Sequence, residues 1–130
     1  MILSRDDILK ADDLKTEDVD VPEWGGVVRI RGLTGTQRDA FEASVVKMNG
    51  TNKQYNLTNL RARFVALCVV DADGKRLFSD QDVKQLGEKS ATALERVWTA
   101  ARKLSGMSED DVEELAEGFA DDQSDGSTSG

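Results

Sequence analysis

Histidine is missing from this 130-residue chain, and cysteine occurs only once. The lack of histidine removes the usual general base, the usual partner of a serine or cysteine nucleophile, and the commonest transition-metal ligand. A single cysteine excludes an internal disulfide, and the position of Cys68 in the apolar stretch RFVALCVV predicts a buried side chain rather than a reactive thiol. These absences argue against most hydrolase and zinc chemistry.

The chain also lacks a long apolar run. No stretch approaches the roughly 20 residues of a membrane-spanning helix, and the start MILSRDDILKADD has neither the basic region nor the apolar stretch of a signal peptide. We therefore expect a soluble cytoplasmic protein with no membrane partner. Its length predicts one domain over residues 1–120, and residues 121–130 (DDQSDGSTSG), which contain no apolar side chain, are expected to be a disordered tail.

Negative charge is abundant but unevenly distributed. The formal net charge is -8, and nine of the 25 acidic residues lie within 108–125, a stretch without a basic residue. The remainder is close to neutral, which argues against a nucleic-acid partner because such binders present clustered Lys and Arg. The carboxylates fall in segments where nothing demands their burial, so we expect no enzymatic activity, no metal site and no cofactor.

The segment EDVDVPEWGGVVRIRG predicts an antiparallel hairpin, since apolar and charged residues alternate on both sides of a turn. Trp24 and the two glycines after it form the turn, although Trp24 could instead contact a partner. The register that aligns the apolar positions pairs Val21 with Val28, Val19 with Ile30, Asp20 with Arg29, and Asp18 with Arg31.

Helical signals dominate the rest of the chain. The expected helices are a short one at 5–10 capped by Ser4, one from the Thr34 region to about Met48, one carrying Leu57, Leu60, Phe64 and Leu67, a short one ending at Gly87, a long one from Ser90 to about Gly106, and one over 108–119. The DADG stretch at 71–74 predicts a turn rather than a calcium loop. The expected fold class is therefore α+β, mainly α, with an N-terminal antiparallel β-hairpin followed by a bundle of about four to five helices.

The helix over 108–119 is of particular interest because an apolar stripe lies beneath its acidic face. The stripe consists of Val112, Leu115, Ala116 and Phe119. This helix could mediate self-association or hold a partner helix, or it could simply pack on Trp98 and Phe64.

Most of the chain, to about residue 117, resembles the tail assembly chaperones of long-tailed, siphovirus-type bacteriophages, particularly those of actinobacterial phages. The similar stretches are LSRDDILKADDLKTEDVDVPEWGG, VRIRGLTGTQRDAFEAS, NLRARFVALCVVDADGKRLFSD and LGEKSATALERVWTAARKLSGMSEDDVEEL. They contain no catalytic signature.

This resemblance implies a non-enzymatic chaperone that binds the tape measure protein, keeps it soluble, and helps tail tube polymerisation around it. It further implies a homo-oligomer in the host cytoplasm that is absent from the mature virion. A longer frameshifted product would recruit the tail tube (major tail) protein, and this chain looks like the shorter form. The residues predicted to bind partners are Trp24, Trp98, Val112, Leu115 and Phe119.

Two other functions stay open at the level of sequence. One is a minor structural protein of the phage tail or of the head-tail junction, which would share a hairpin-plus-helix architecture. The other is an acidic decoy that mimics DNA, which is weaker because the charge is concentrated in one segment rather than spaced over a rigid surface.

Overall fold

The computed structural model describes residues 1–108 and 111. Its helices are α1 (Arg5–Lys10), α2 (Gly35–Val45), α3 (Leu60–Cys68), α4 (Val83–Gly87) and α5 (Ala91–Leu104), and its strands are β1 (Thr16–Val21), β2 (Gly26–Arg31), β3 (Val46–Asn49), β4 (Asn52–Tyr55) and β5 (Val69–Val70). An antiparallel sheet has the order β1-β2-β5, and β3 and β4 form a second hairpin. The expected α+β, mainly α fold with an N-terminal hairpin is confirmed.

The first hairpin forms where the sequence predicts it, but in a different register. A short 3-10 turn over Pro22–Trp24 and the left-handed Gly25, with φ 77°, reverse the chain within four residues. This tight turn pairs Val21 with Gly26, so the predicted register is wrong by two residues. The observed partners are Val19 with Val28, Asp18 with Arg29, Asp20 with Val27, and Thr16 with Arg31.

Because of the shift in register, both arginines have hydrogen-bond partners that differ from the predicted ones. The Arg29 guanidinium donates two hydrogen bonds to the Asp18 carboxylate, at 2.8 and 3.2 Å. Arg31 instead donates to the backbone carbonyl of Gly74, 3.1 Å away, in the DADG turn. That turn is confirmed, because the Asp71 carboxylate accepts the backbone N–H groups of Asp73 and Lys75.

The core lies between the sheet and helices α3 and α5, which pack on each other. Phe64 is its centre, since both the Phe41 and the Trp98 ring meet it edge-on with centroids 5.0 Å away. Such edge-to-face aromatic pairs contribute about 0.5–1.5 kcal/mol each beyond the burial of their area. Helix α3 is buried on most sides, and the side chains it buries are Ala62, Phe64, Val65, Ala66 and Cys68.

The second hairpin was not predicted. Helix α2 ends at Val45 rather than near Met48, and the polar stretch TNKQYN contributes strand β4. The Asn49-Gly50 pair, interpreted above as a helix stop, begins the hairpin turn, with Gly50 at φ 69°. Arg63 joins this hairpin to α3, because its guanidinium donates to the backbone carbonyls of Ser44, Asn56 and Thr58.

Helix caps follow the sequence closely. Reciprocal side-chain and backbone hydrogen bonds form between Ser4 and Asp7, Thr34 and Gln37, Ser79 and Asp82, and Ser108 and Asp111. Val112, Leu115 and Phe119, the rest of the predicted helix over 108–119, and the predicted tail at 121–130 lie outside the described residues. Among the helices of the described part, none is long and apolar enough to cross a membrane.

Candidate partner-binding groove

Two cavities that share a lining residue open on the surface, and the larger of them lies beside the first half of α5. The larger has a volume of about 1200 Å³ and the smaller about 550 Å³, and Lys89 lines both. We call the two cavities together the groove. Its apolar lining comes from Val19, Leu57, Leu60, Ala62 and Leu94 in the larger cavity and from Trp24, Leu77, Phe78 and Leu86 in the smaller.

The larger cavity depends on a close approach between α4 and the start of α3. Gly87 ends α4 against the Asn59 side chain, and a Cβ at position 87 would lie only 2.5 Å from Asn59 Oδ1. Asn59 itself has a left-handed backbone, with φ 54°, which turns the chain into α3. Leu57, just before this turn, keeps 38% of its surface exposed at the cavity edge.

Paired charges line the rim of the larger cavity. Arg61 Nε lies 2.7 Å from Glu95 Oε2, which joins α3 to α5 across the opening. The Arg61 guanidinium carbon is also 5.8 Å from the centroid of the Trp98 ring, within the range of a cation–π contact. Trp98 lies beneath this pair and is only 5% exposed.

The smaller cavity is built on the turn of the first hairpin. Trp24 is partly buried against the core, whereas Leu77, which also lines this cavity, is 55% exposed. Arg96 Nε donates to both Glu23 carboxylate oxygens, at 2.8 and 3.0 Å, and so fixes the turn to α5. This hydrogen bond lowers the pKa of the Glu23 carboxyl below its ordinary value.

The groove offers surfaces for contact rather than an evident set of metal ligands. Its lining mixes aliphatic and aromatic side chains with polar and charged ones, and the Lys89 ammonium, which lines both cavities, has no ion-pair partner in the part of the chain that the structure describes. No group of three or more Cys, Asp or Glu within residues 1–108 and 111 is arranged to hold a metal ion. A groove lined by both apolar and charged side chains is suited to an amphipathic segment, whose apolar face and charged face can each find a match.

Sequence comparison places the chain in a family. The family model described as phage tail assembly chaperone matches residues 8–117, which includes all of the groove. The chain belongs to the phage tail assembly chaperone family. No curated protein matches its sequence.

The tail assembly chaperone fold is also seen in a solved structure. The chain is similar to the structure of the bacteriophage HK97 tail assembly chaperone, with a TM-score of 0.53 and 20% sequence identity. The likeness covers 70% of this chain and 85% of the HK97 chain. At this identity the comparison supports the shared fold.

In this tail assembly chaperone, the residues predicted to bind partners occupy different places. Trp24 lines the smaller cavity of the groove, while Trp98 is buried in the core next to the larger one. Val112, Leu115 and Phe119 lie outside the described residues, so their roles stay predictions.

Sequence reasoning missed Leu57, Leu77 and Lys89, which line the groove. Leu77 carried the clearer signal, as an apolar side chain directly after the charged stretch DADGKR. Nothing in the local pattern links Leu57 to Leu77, because the two are 20 positions apart and only the packing of α3, α4 and α5 places them along one surface.

Proposed function

We propose that this chaperone binds an amphipathic helical segment of the phage tape measure protein in the groove and keeps that protein soluble while tail tube subunits polymerise around it. The observation that carries the proposal is the pair of cavities, partly apolar in lining and both lined by Lys89, in a chain of the tail assembly chaperone family. A long helical polypeptide exposes apolar stripes until the tail tube encloses it. Such stripes favour aggregation unless another protein binds to them.

The apolar residues that line the groove are compatible with a helical client. A helix with side chains is about 10–12 Å wide and presents apolar residues at every third or fourth position. Leu57, Leu60 and Leu94 offer contact in one cavity, and Trp24, Leu77 and Phe78 offer it in the other. Contacts in both cavities would hold a client helix at two points along its length.

The wider assembly role follows the same proposal. The chaperone acts as a homo-oligomer in the host cytoplasm and leaves before the virion matures, and a longer frameshifted form recruits the tail tube protein. A net charge of -8 would keep such an assembly dispersed. Mass spectrometry of purified virions separates this role from that of a minor structural protein, because the chaperone should be missing and a structural protein should be present.

The groove is tested by co-expression with the tape measure protein of the same phage. Leu57→Ser combined with Leu77→Ser should sharply reduce the soluble fraction of the tape measure protein. Each leucine buried by a client contributes about 1–2 kcal/mol, so affinity should fall at least about tenfold. Both side chains are exposed in the free protein, at 38% and 55%, so the variant should fold normally.

Val27→Ser is the matched control, because Val27 is an equally apolar side chain, 64% exposed, that lines neither cavity. It should leave tape measure solubility at the wild-type level. Equal solubility with the double groove variant would contradict the proposal. Val112, Leu115 and Phe119 changed together to Ser test the second proposed contact, the helix over 108–119, in the same assay.

A further inference from the structure

A separate cavity opens where α2, α3 and the segment leading into α4 meet. We call it the α2 cavity. Its volume is about 430 Å³, and it shares no lining residue with the groove. Its apolar lining comes from Ala40, Phe41, Leu67 and Val83. Its charged lining consists of two arginines and one carboxylate, namely Arg63, Arg76 and Asp80, so positive charge is in excess.

The positive charge of Arg63 is not balanced by a carboxylate. Its guanidinium donates to the backbone carbonyls of Ser44, Asn56 and Thr58, and no acidic side chain among residues 1–108 and 111 pairs with it. Burial lowers the pKa of this guanidinium below its ordinary value. Neutral carbonyls solvate the cation but leave its net charge, so a carboxylate entering the cavity would be attracted.

Arg76 supplies the second positive charge and is only weakly paired. Its Nε and Nη2 donate to the Ala66 carbonyl, at 3.3 and 3.2 Å, and Nη2 also lies 3.3 Å from a carboxylate oxygen of Asp80. The Asp80 side chain is 88% exposed, so solvent screens this pair. The α2 cavity is therefore suited to an occupant that is both apolar and acidic.

The C-terminal part of the same chain has both properties. Residues 108–125 contain nine acidic side chains and no basic one. They also carry Val112, Leu115 and Phe119, whose spacing of three and four positions predicts one apolar face of a helix. This segment thus matches the cavity in charge and in apolar character.

Helix α5 ends close to the α2 cavity. At that end Ser105 Oγ accepts a hydrogen bond from the Leu33 N–H, 3.1 Å away and just before α2, and lies 4.0 Å from Cys68 Sγ. Cys68 directly follows Leu67, which lines the cavity. A helix over 108–119 would be about 18 Å long, similar to the 11-residue α2, and could lie along that helix.

We propose that residues 108–125 dock over the α2 cavity of their own chain, with their apolar stripe on the cavity and their acidic side chains facing Arg63 and Arg76. Because the α2 cavity and the groove share no lining residue, docking leaves the groove open. Docking also covers the apolar stripe. The second client contact of the proposed function, the helix over 108–119, is then available only after release from the cavity.

Crosslinking within the full chain tests the docked state. Ala40→Cys in the cavity lining and Ala116→Cys in the stripe place two thiols that a short bifunctional maleimide can join. Ala40 is exposed and Cys68 is buried, so the fold should be retained and no third thiol should react. Val27→Cys with Ala116→Cys is the control, because Val27 is 64% exposed and is not a lining residue of the α2 cavity. The cavity pair should be joined several-fold more often than the control pair, as measured by mass spectrometry.

Charge and apolar contact are tested separately on the cavity pair. Arg76→Gln should lower the intramolecular yield a few-fold, whereas Arg76→Lys, which keeps the charge, should retain most of it. Leu115→Ser with Phe119→Ser should lower the yield to that of the control pair. Arg63 is left unchanged, because its hydrogen bonds hold the second hairpin to α3.

Equal yields from the cavity pair and the control pair would overturn the proposal, because position 40 would then meet the segment only by chance. Products joined between two chains rather than within one would overturn it as well, since the occupant would be a second copy. An unchanged yield with Arg76→Gln would contradict the role of charge. The assay contains no tape measure protein, so each of these results leaves the proposed function of the groove unaffected.

Discussion

At the scale of single residues, Cys68 shows how the surroundings of a side chain decide its chemistry. Its side chain is fully buried, with Sγ 4.0 Å from Ser105 Oγ, and the prediction of a buried, structural cysteine is confirmed. Burial raises the pKa of the thiol to about 12, while the hydrogen bond to Ser105 has the opposite, smaller effect. The thiol is therefore protonated and shielded at neutral pH.

Cys68 should accordingly resist thiol reagents in the native protein. We expect no reaction with a chromogenic disulfide reagent at neutral pH, and one reactive thiol per chain after unfolding in guanidinium. Val27→Cys provides the control, since its added thiol should react at once while Cys68 stays protected. Fast modification of native wild-type protein would show that the region around Cys68 opens readily.

The two tryptophans show that the sequence around a residue does not decide whether its side chain lies in the core or at a binding surface. Both were predicted to contact a partner, because a large aromatic side chain suits either a core or an interface. The structure places Trp98 between Phe64 and Arg61, where it is 5% exposed, and places Trp24 in the wall of the smaller cavity. Sequence spacing cannot separate these environments, because they depend on what the neighbouring elements cover.

At the scale of elements, the sequence predicts helices better than strand pairing. Caps and helical spacing are local, so α1, α4 and α5 could be located from a few neighbouring residues. The register of β1 with β2 depended on the length of a turn, and Gly25 made that turn shorter than expected. Strand β5 has two residues and exists because Val69 and Val70 meet β2, a long-range contact with no local signal.

The ion pair between the hairpin turn and α5 predicts a dependence of stability on pH. Arg96 lowers the pKa of the Glu23 carboxyl in the folded protein, so the pair contributes stability above the unfolded pKa of Glu23. That contribution disappears as the pH falls through the unfolded and then the folded pKa. Glu23→Gln should therefore lower the urea midpoint at about pH 7, and the difference from wild type should be smaller at about pH 3, below the unfolded pKa of Glu23.

Glu17→Gln is the control for that measurement. Glu17 is an exposed carboxylate of the same hairpin and has no ion-pair partner among residues 1–108 and 111. Its substitution should leave both midpoints close to wild type. A Glu23→Gln effect of equal size at both pH values would mean that packing, rather than the charge on Glu23, holds the turn against α5.

At the scale of the whole molecule, the candidate groove depends on the complete fold. The groove is assembled from β1, the hairpin turn, α3, α4 and α5, segments spread from Val19 to Thr99. Only the folded chain brings them together, so the sequence could indicate an apolar binding surface without locating it. The resemblance of the sequence to tail assembly chaperones is confirmed by the family match, whereas its partners remain the subject of experiment.

The central claim, that the groove holds the client, is tested most directly by site-specific photo-crosslinking during co-expression with the tape measure protein. A photoreactive amino acid at position 77, in the wall of the smaller cavity, should crosslink to the tape measure protein. The same group at position 27, which is exposed on β2 and is not among the lining residues of either cavity, should crosslink much less. Crosslinking at position 27 with none at position 77 would contradict the account.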